Sequence, residues 1–411
     1  MYLTFLVLSS LTLVSARPSS NAVWAADSAI ARGQGNGLTS SGTPTVSYEH
    51  GELQTGLRRL YDLTGNQTYF NYIVEGVGKI VDNNGNVGGD YSFDAFSLDP
   101  IRTGPTFLYL YNQTGSAKYK TAADTFRRQL DEHPRTTQGQ FWHKLRYPNQ
   151  GWLDGIYMGE LFYAQYTAMF EPTNQTAWHD ITSQFKLMLN NTLQNATAPN
   201  TTGLLYHGYD FSHVASWASA DRGHSPEVWD RAMGWYAMAL VDVLDILSTL
   251  PSSTLTTELR TTLLSFIRIL FPRIRDAASP TSGVWWLVMT QPGRTGNYFE
   301  SSATAMFVYA LLRSVRMGYV ADDPDEGGSL TEAAKKAYEY IIKNWVVENA
   351  DGTMGWEGTV VVGSLDTTGD FDYYISQPVD LNDLKGLAAF VLASLEVSKD
   401  CMLGFYFDTA T

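Results

Sequence analysis

The chain has 411 residues, 44% of them hydrophobic and 13% aromatic, enough for a large folded core and far from the composition of a disordered segment. Its 28 basic and 42 acidic residues give a formal net charge of −14, which excludes nucleic acid as an expected partner because no basic stripe can displace condensed counterions. A single cysteine, Cys401, excludes an intrachain disulfide and a four-cysteine metal site, and the seven histidines form no helix-pair ligand motif, so neither a metal nor a cofactor is expected.

The chain opens on "MYLTFLVLSSLTLVSA", an apolar run too short to span a bilayer and ending in small residues, which predicts a cleaved secretion signal over residues 1–16. The remainder, 17–411, is expected to be one extracellular domain with no membrane association after cleavage. Six Asn-x-Ser/Thr triplets, at Asn66, Asn112, Asn174, Asn190, Asn195 and Asn200, predict N-glycans and agree with a eukaryotic secretory route.

After a front helix in "SSNAVWAADSAIARG", long helical stretches arrive in pairs. The first pair starts at "YEHGELQTGLRRLYDL" and breaks at "TGN"; the second starts at "LDPIRTGPTFLYLY" and breaks at "NQTGS". The third runs from "WLDGIYMGELFYAQY" across "EPTNQT", and the fourth from "VWDRAMGWYAMALVDVL" across "PSST". "YFESSATAMFVYALL" and "SLTEAAKKAYEYIIKNW" make the fifth, and a last helix begins near "NDLKGLAAF". The first helix of each pair is apolar nearly all round, whereas the second carries charge on one face. Inner and outer helices follow from that difference, and about twelve helices in six hairpins predict an all-α (α/α)6 barrel. An open solenoid is the alternative, with less need for fully apolar inner helices.

Parallel inner helices would all start at one mouth, and their starts hold polar residues: Tyr48, Glu49 and His50; Asp99; Asp154; Trp229, Asp230 and Arg231; Glu300; Asp380 and Asp383. Two connections, "QFWHKLRYPNQG" and "LLYHGYD", bring His143 and His207 to the same end. Acidic residues also cap helices, a role that suits Asp230 and Asp383 best. Asp154 fits it poorly, because Trp152, Tyr157 and Met158 suggest a dry wall, where a carboxyl resists ionisation and becomes a proton donor. Aromatic faces beside carboxyls point to glycosidic chemistry. No GxSxG elbow is present, and "GQGNG" at 33–37 lacks a βαβ context, so it reads as a loop near the mouth.

Taken in order, "YEHG", "LDPI", "WLDGIYMG", "LLYHGYD", "VWDRAMGWYAMALVD", "YFESSATAMFVYALL" and "NDLKGLAAF" resemble glycoside hydrolase family 105, the unsaturated rhamnogalacturonyl hydrolases, from Trp24 to roughly residue 397. The resemblance implies an (α/α)6 barrel that hydrates the C4=C5 bond of a terminal unsaturated galacturonyl residue left by a pectin lyase. It also implies that Asp154 is the general acid, and that Asp99 is a second aspartate whose charge holds a proton on the pair. His207 and Arg231 then look like ligands of the substrate's carboxylate and hydroxyls, with His143 close by. Trp229 and Trp235 resemble a sugar platform and Tyr48 a wall. His143 and Trp235 fit equally well as buried core side chains. The fourth motif departs from the family pattern, with "DRAMGW" in place of a glycine-rich run, and the tail "DCMLGFYFDTAT" is unlike the family's usual end. Other readings are an unsaturated glucuronyl hydrolase acting on another polysaccharide, a non-catalytic carbohydrate-binding toroid, and an ordinary α-glycosidase of the same barrel.

Overall fold

The structure, a computed structural model, describes residues 20–195, 201–325 and 327–408, with side chains except at 255 and 400–408. The expected leader, Asn200 and the side chain of Cys401 lie outside the described residues.

Inner helices alternate with outer ones along the chain. α1 (Asn21–Ala31) comes first, followed by α2 (Tyr48–Thr64), α3 (Gln67–Val77), α4 (Gly104–Thr114) and α5 (Ala117–Glu132). The third inner helix is compound: α6 (Leu153–Gly155), a π-helical turn over Ile156–Glu160, and α7 (Leu161–Phe170). Then come α8 (Gln175–Thr192), α9 (Asp230–Ser248), α10 (Thr254–Asp276), α11 (Ser301–Arg316), α12 (Leu330–Asn344), the short α13 (Phe371–Ser376) and α14 (Leu384–Asp408). Around the ring α2, α4, α7, α9 and α11 each pack on the next, and α14 packs on both α11 and α2, so the barrel is closed. α3, α5, α8, α10 and α12 each cover the inner helix before them, and α1 covers α14. This is the (α/α)6 barrel the pairing predicted, and closure excludes the open solenoid.

Local chemistry sets the repeat. α2 and α4 both end on a left-handed glycine, Gly65 and Gly115, each at φ 67°, whose N–H closes on the carbonyl of Tyr61 or Tyr111. The next helix then starts on Asn66 or Ser116. Inner helices are apolar because both faces are covered: 16 of the 19 residues of α9 are buried. α12 buries only Leu330, Ala334, Ala337 and Ile341, a stripe at 3–4-residue spacing. Among the described residues no helix is long and apolar enough to cross a membrane.

Among the described residues, three small antiparallel ribbons decorate the end where the inner helices start. β1 (Gln150–Trp152) pairs with β2 (Gly208–Asp210), β3 (Val346–Glu348) with β4 (Met354–Trp356), and β5 (Thr359–Val360) with β6 (Val379–Asp380). Helical periodicity gives no sign of these ribbons, and two of them build the site.

Candidate active site

Asp154 stands in the first turn of the third inner helix, directly before the π-helical turn. π-turns widen a helix and recur at functional sites. The register of the first ribbon, Trp152 opposite Gly208, brings the neighbouring residues together: Leu153 N–H donates to the His207 carbonyl at 2.9 Å, and His207 Nε2 lies 3.0 Å from Asp154 Oδ2. On its far side His207 Nδ1 is 2.7 Å from the Tyr374 hydroxyl. Burial pushes the Tyr374 phenol well above its ordinary range, so it keeps its proton and donates to Nδ1. The imidazole is thereby assigned as the tautomer that donates from Nε2 to Asp154.

This geometry changes the expected state of the carboxyl. Burial does push Asp154 upward, as its aromatic wall suggested, but His207, through its electrostatic pull and the hydrogen bond from Nε2, outweighs it and holds the group below its ordinary value. The second aspartate does not hold a proton on Asp154 either, because Asp99 is neutralised by Lys144, whose Nζ is 2.5 Å away. His143 Nε2 lies 3.4 Å from the other Asp99 oxygen, and burial, reinforced by Lys144, pushes that imidazole well below its usual range, leaving it neutral.

The ring residues form a wall. Trp152 stacks with His143 (centroids 4.5 Å, 19°) and with Tyr147 (4.7 Å, 18°). Trp235 stacks with Tyr157 at 5.0 Å and meets the edge of Tyr48 at 6.4 Å. Trp229 is pressed under Gly363, where a Cβ would come within 2.6 Å of the indole, a separation only glycine permits. Arg231 lies 4.8 Å from the Trp229 ring centre, fully buried, with Glu300 at 3.8 Å and Ser302 at 3.3 Å, while its Nη2 has no partner. Burial is the largest influence on Arg231 and opposes its charge, but the carboxylates led by Glu300 prevail and hold it more strongly protonated than usual.

These side chains enclose a cavity of about 120 Å³, lined by Tyr48, Asp99, His143, Asp154, Trp229, Arg231 and Trp235. Seven of the eight expected site residues therefore converge. The eighth, His207, is 0% exposed with both ring nitrogens engaged, so it supports Asp154 from behind and does not face a ligand. Asp230, expected as a cap, is instead the first residue of α9: it is buried and its Oδ1 accepts the N–H of the adjacent Arg231, while the cap position is Trp229. The same cavity is lined by Lys144, Arg146 and the strip Val362–Gly363–Ser364, none of which was singled out from sequence. The signal for Lys144 was its place beside His143 in "HKLR"; Tyr374 and the 362–364 strip carry none, because the third ribbon places them. The cavity opens into a larger one of about 760 Å³, which shares Tyr48, Asp99, Lys144 and Arg146 and adds an apolar wall of Val46, Ala95, Pro100 and Leu145.

A closed helical toroid whose mouth gathers two carboxylates, a buried guanidinium and indole faces is the architecture of a glycoside hydrolase. The chain belongs to glycosyl hydrolase family 88, whose profile it matches over residues 25–401. It is 35% identical to a solved family 105 glycoside hydrolase from C. acetobutylicum ATCC 824, covering 93% of this chain and 100% of that one with a TM-score of 0.82. It also resembles the 24.9 kDa protein in picA locus of Rhizobium radiobacter, 35% identical over 207 residues, which is 49% of this chain and 84% of that protein. The unsaturated glucuronyl hydrolase of Bacillus sp. GL1 shares the fold, with 13% identity, 92% of this chain and 94% of that one covered, and a TM-score of 0.61.

Proposed function

We propose that the protein removes the terminal 4,5-unsaturated galacturonyl residue from lyase-generated rhamnogalacturonan oligosaccharides by hydrating the double bond. The observation that carries this reading is the buried guanidinium of Arg231, with Nη2 left without a protein partner, in the lining of the same cavity as Asp154, which suits a receptor for a carboxylate beside an acid. Lys144 adds a second positive charge there. The apolar wall of the adjoining cavity suits the methyl group of a 6-deoxy sugar as leaving unit.

In the free enzyme Asp154 sits below its ordinary pKa, so an anionic substrate has work to do. Its carboxylate, arriving close to Asp154, favours the neutral acid and draws a proton onto the Asp154–His207 pair. Asp154 then transfers that proton to C4 as the π-bond electrons form the new C–H bond. Water adds its oxygen to C5 and returns a proton to the Asp154 carboxylate. The hemiketal so formed opens by breaking C5–O5, and the sugar chain leaves from C1 with the proton balance restored. Asp99, fixed by Lys144 and His143, holds substrate hydroxyls, and Trp229 and Trp235 face the ring.

The test uses absorbance, since the conjugated C4=C5–carboxylate unit absorbs ultraviolet light and the product does not. Incubation with lyase digests of several polyuronides is expected to bleach the rhamnogalacturonan digest fastest. Equal rates for the wild type and Asp154→Asn would remove Asp154 from the chemistry, and bleaching confined to a glucuronate-containing digest would overturn the sugar assignment.

Secretion and N-glycosylation belong to the same proposal. Asn66, Asn112 and Asn174 all stand in Asn-Gln-Thr triplets at the turn from an inner to an outer helix, on three successive hairpins and at the rim opposite the cavity. Asn112 is exposed, and Asn66 is exposed too, its oxygen accepting the Thr68 N–H to cap α3. Glycans at either would leave the mouth clear. Peptide mass analysis after amidase release, on protein secreted from a eukaryotic host, is expected to find both asparagines converted to aspartate; unmodified peptides would reject the assignment.

A further inference from the structure

Asp210, the last residue of β2, is a carboxylate only 1% exposed that takes no part in the chemistry above. The loop that follows engages both of its oxygens: Oδ1 accepts the Ser212 N–H at 2.8 Å and the Ser212 hydroxyl at 2.6 Å, and Oδ2 accepts the N–H of Val214 at 3.0 Å and of Ala215 at 2.7 Å. A side chain bonded to its own backbone in this way fixes the turn. At the loop's other end Gly223, at φ 73°, lies so close to Asp210 that a Cβ would come within 2.1 Å of the Asp210 carbonyl oxygen. From Phe211 to Arg222 the chain runs along the surface, and the one side chain it buries there is Trp217.

Trp217 belongs with Tyr147, Trp152 and Leu365 to a small apolar cluster separate from the main core. Its indole N–H donates to the Leu365 carbonyl at 2.8 Å, across 148 positions of the chain. Leu365 directly follows the strip 362–364 that lines the catalytic cavity, and Tyr147 and Trp152 line the same cavity. Among the described residues, the other hydrogen bonds of residues 361–370 stay within 361–378, so the Trp217 bond is the one that ties this strip to a distant part of the chain. We propose that Trp217 is a positioning residue for the reaction: it pins the strip 362–364 to the Trp152 wall and so keeps the cavity closed around the uronyl ring. The proposal rests on the reading of the catalytic cavity given above.

The strip needs a pin because it is carried between β5 and β6, a ribbon of two residue pairs, and short ribbons open locally at low cost. An opened wall admits water, which weakens the field of Arg231 on an anionic ring. It also frees Gly363 from Trp229, so the indole face can drift from the sugar it faces. An apolar plug kept for stability alone would need neither a directed N–H bond nor a buried carboxylate that fixes the loop behind it.

Native-state hydrogen exchange and kinetics on the unsaturated rhamnogalacturonan disaccharide together test this. Trp217→Ala removes ring and N–H, and Trp217→Phe keeps a ring without the N–H. Asp210→Asn leaves the indole in place but sets an amide donor among the loop's own N–H donors, so it carries the test independently of any folding defect at position 217. All three are expected to speed exchange at the Val361 and Ser364 N–H groups, with α9 and α11 as protected as in the wild type. The disaccharide kcat/KM is expected to fall about tenfold in Trp217→Ala and about threefold in Trp217→Phe, chiefly through KM, because what is lost is the fit of a wall. Faster exchange with wild-type kinetics would mean that the tie does not serve the reaction, and unchanged exchange would mean that there is no tie; either overturns the proposal. Exchange accelerated throughout the barrel would make Trp217 an ordinary stabilising residue and overturn it equally. No bleaching of the disaccharide by the wild type would instead sink the underlying reading, and the positioning role with it.

Discussion

A buried polar cluster deep among the inner helices and another at the mouth differ in where they stand relative to the cavity that holds Asp154. Deep among the inner helices Arg102 is 0% exposed and pairs with Glu52 at 2.5 Å, Arg59 pairs with Asp242 at 3.0 Å, and the Tyr157 hydroxyl bonds Arg102, Glu52 and Asp242. At the mouth, Arg231 stands 3.8 Å from Glu300 with one amino group unpartnered, and it lines a cavity. Charge type is the same in both, and both leave guanidinium nitrogens without a protein partner, Nε and Nη1 of Arg102 and Nη2 of Arg231; what differs is that Arg231 lines the cavity shared with Asp154, whereas Arg102 does not. The clusters touch through one aromatic stack, Tyr157 on Trp235, so the deep cluster supports the cavity floor without facing it.

The sharpest break of this comparison is a double dissociation. Asp154→Asn is expected to lower kcat/KM by about 10²–10⁴, the usual worth of a positioned general acid, with the denaturation midpoint little changed. Arg102→Met leaves Glu52 buried without its partner and is expected to cost about 3–5 kcal/mol in a urea unfolding experiment, with the activity of the folded fraction largely retained. If Arg102→Met abolished catalysis at full stability, the division into support and chemistry would be wrong. Arg231→Gln is smaller: removal of a charge-assisted contact of about 1.5–3 kcal/mol should raise KM for the anionic substrate by roughly 10–150-fold. An unaltered KM would move the carboxylate receptor elsewhere, with Lys144 the next candidate.

Most of the architecture was legible in the sequence because it rests on local patterns. Alternation of all-round apolar and one-faced helices, punctuated by Gly65 and Gly115, fixes six hairpins without any long-range information. The mouth was legible for the same reason, since every inner helix must start there. Failures came wherever partners meet across the chain. His207 has the right residue type and neighbourhood for a substrate ligand, yet strand pairing between 150–152 and 208–210 turns it toward the back of Asp154. The protonation of Asp154 was misjudged because its dry wall was visible and its partner was not. Tyr374 was invisible because an excursion between β5 and β6, paired Thr359 to Asp380, delivers it.

The smallest expected effects probe that back side, where two substitutions should shift Asp154 to different degrees. His207→Gln removes the largest influence pulling Asp154 down and leaves burial, which pulls up, so the apparent pKa of the free-enzyme acid in the kcat/KM profile is expected to rise. For stability the sign runs with the depressed carboxyl: its contribution is present above the unfolded value of about 3.9 and is lost as pH falls through the lower folded one, and His207→Gln should weaken that acid sensitivity. Tyr374→Phe leaves the imidazole in place and removes only the phenol that fixes its tautomer. The second tautomer, with its proton on Nδ1, points a lone pair at Asp154, so part of the population loses the hydrogen bond. A several-fold fall in kcat at constant KM, with the same upward pKa displacement at reduced size, is the pattern of a positioning residue. A change in KM alone would instead mean that the phenol shapes the cavity through its stack with Trp229, 5.8 Å between ring centres.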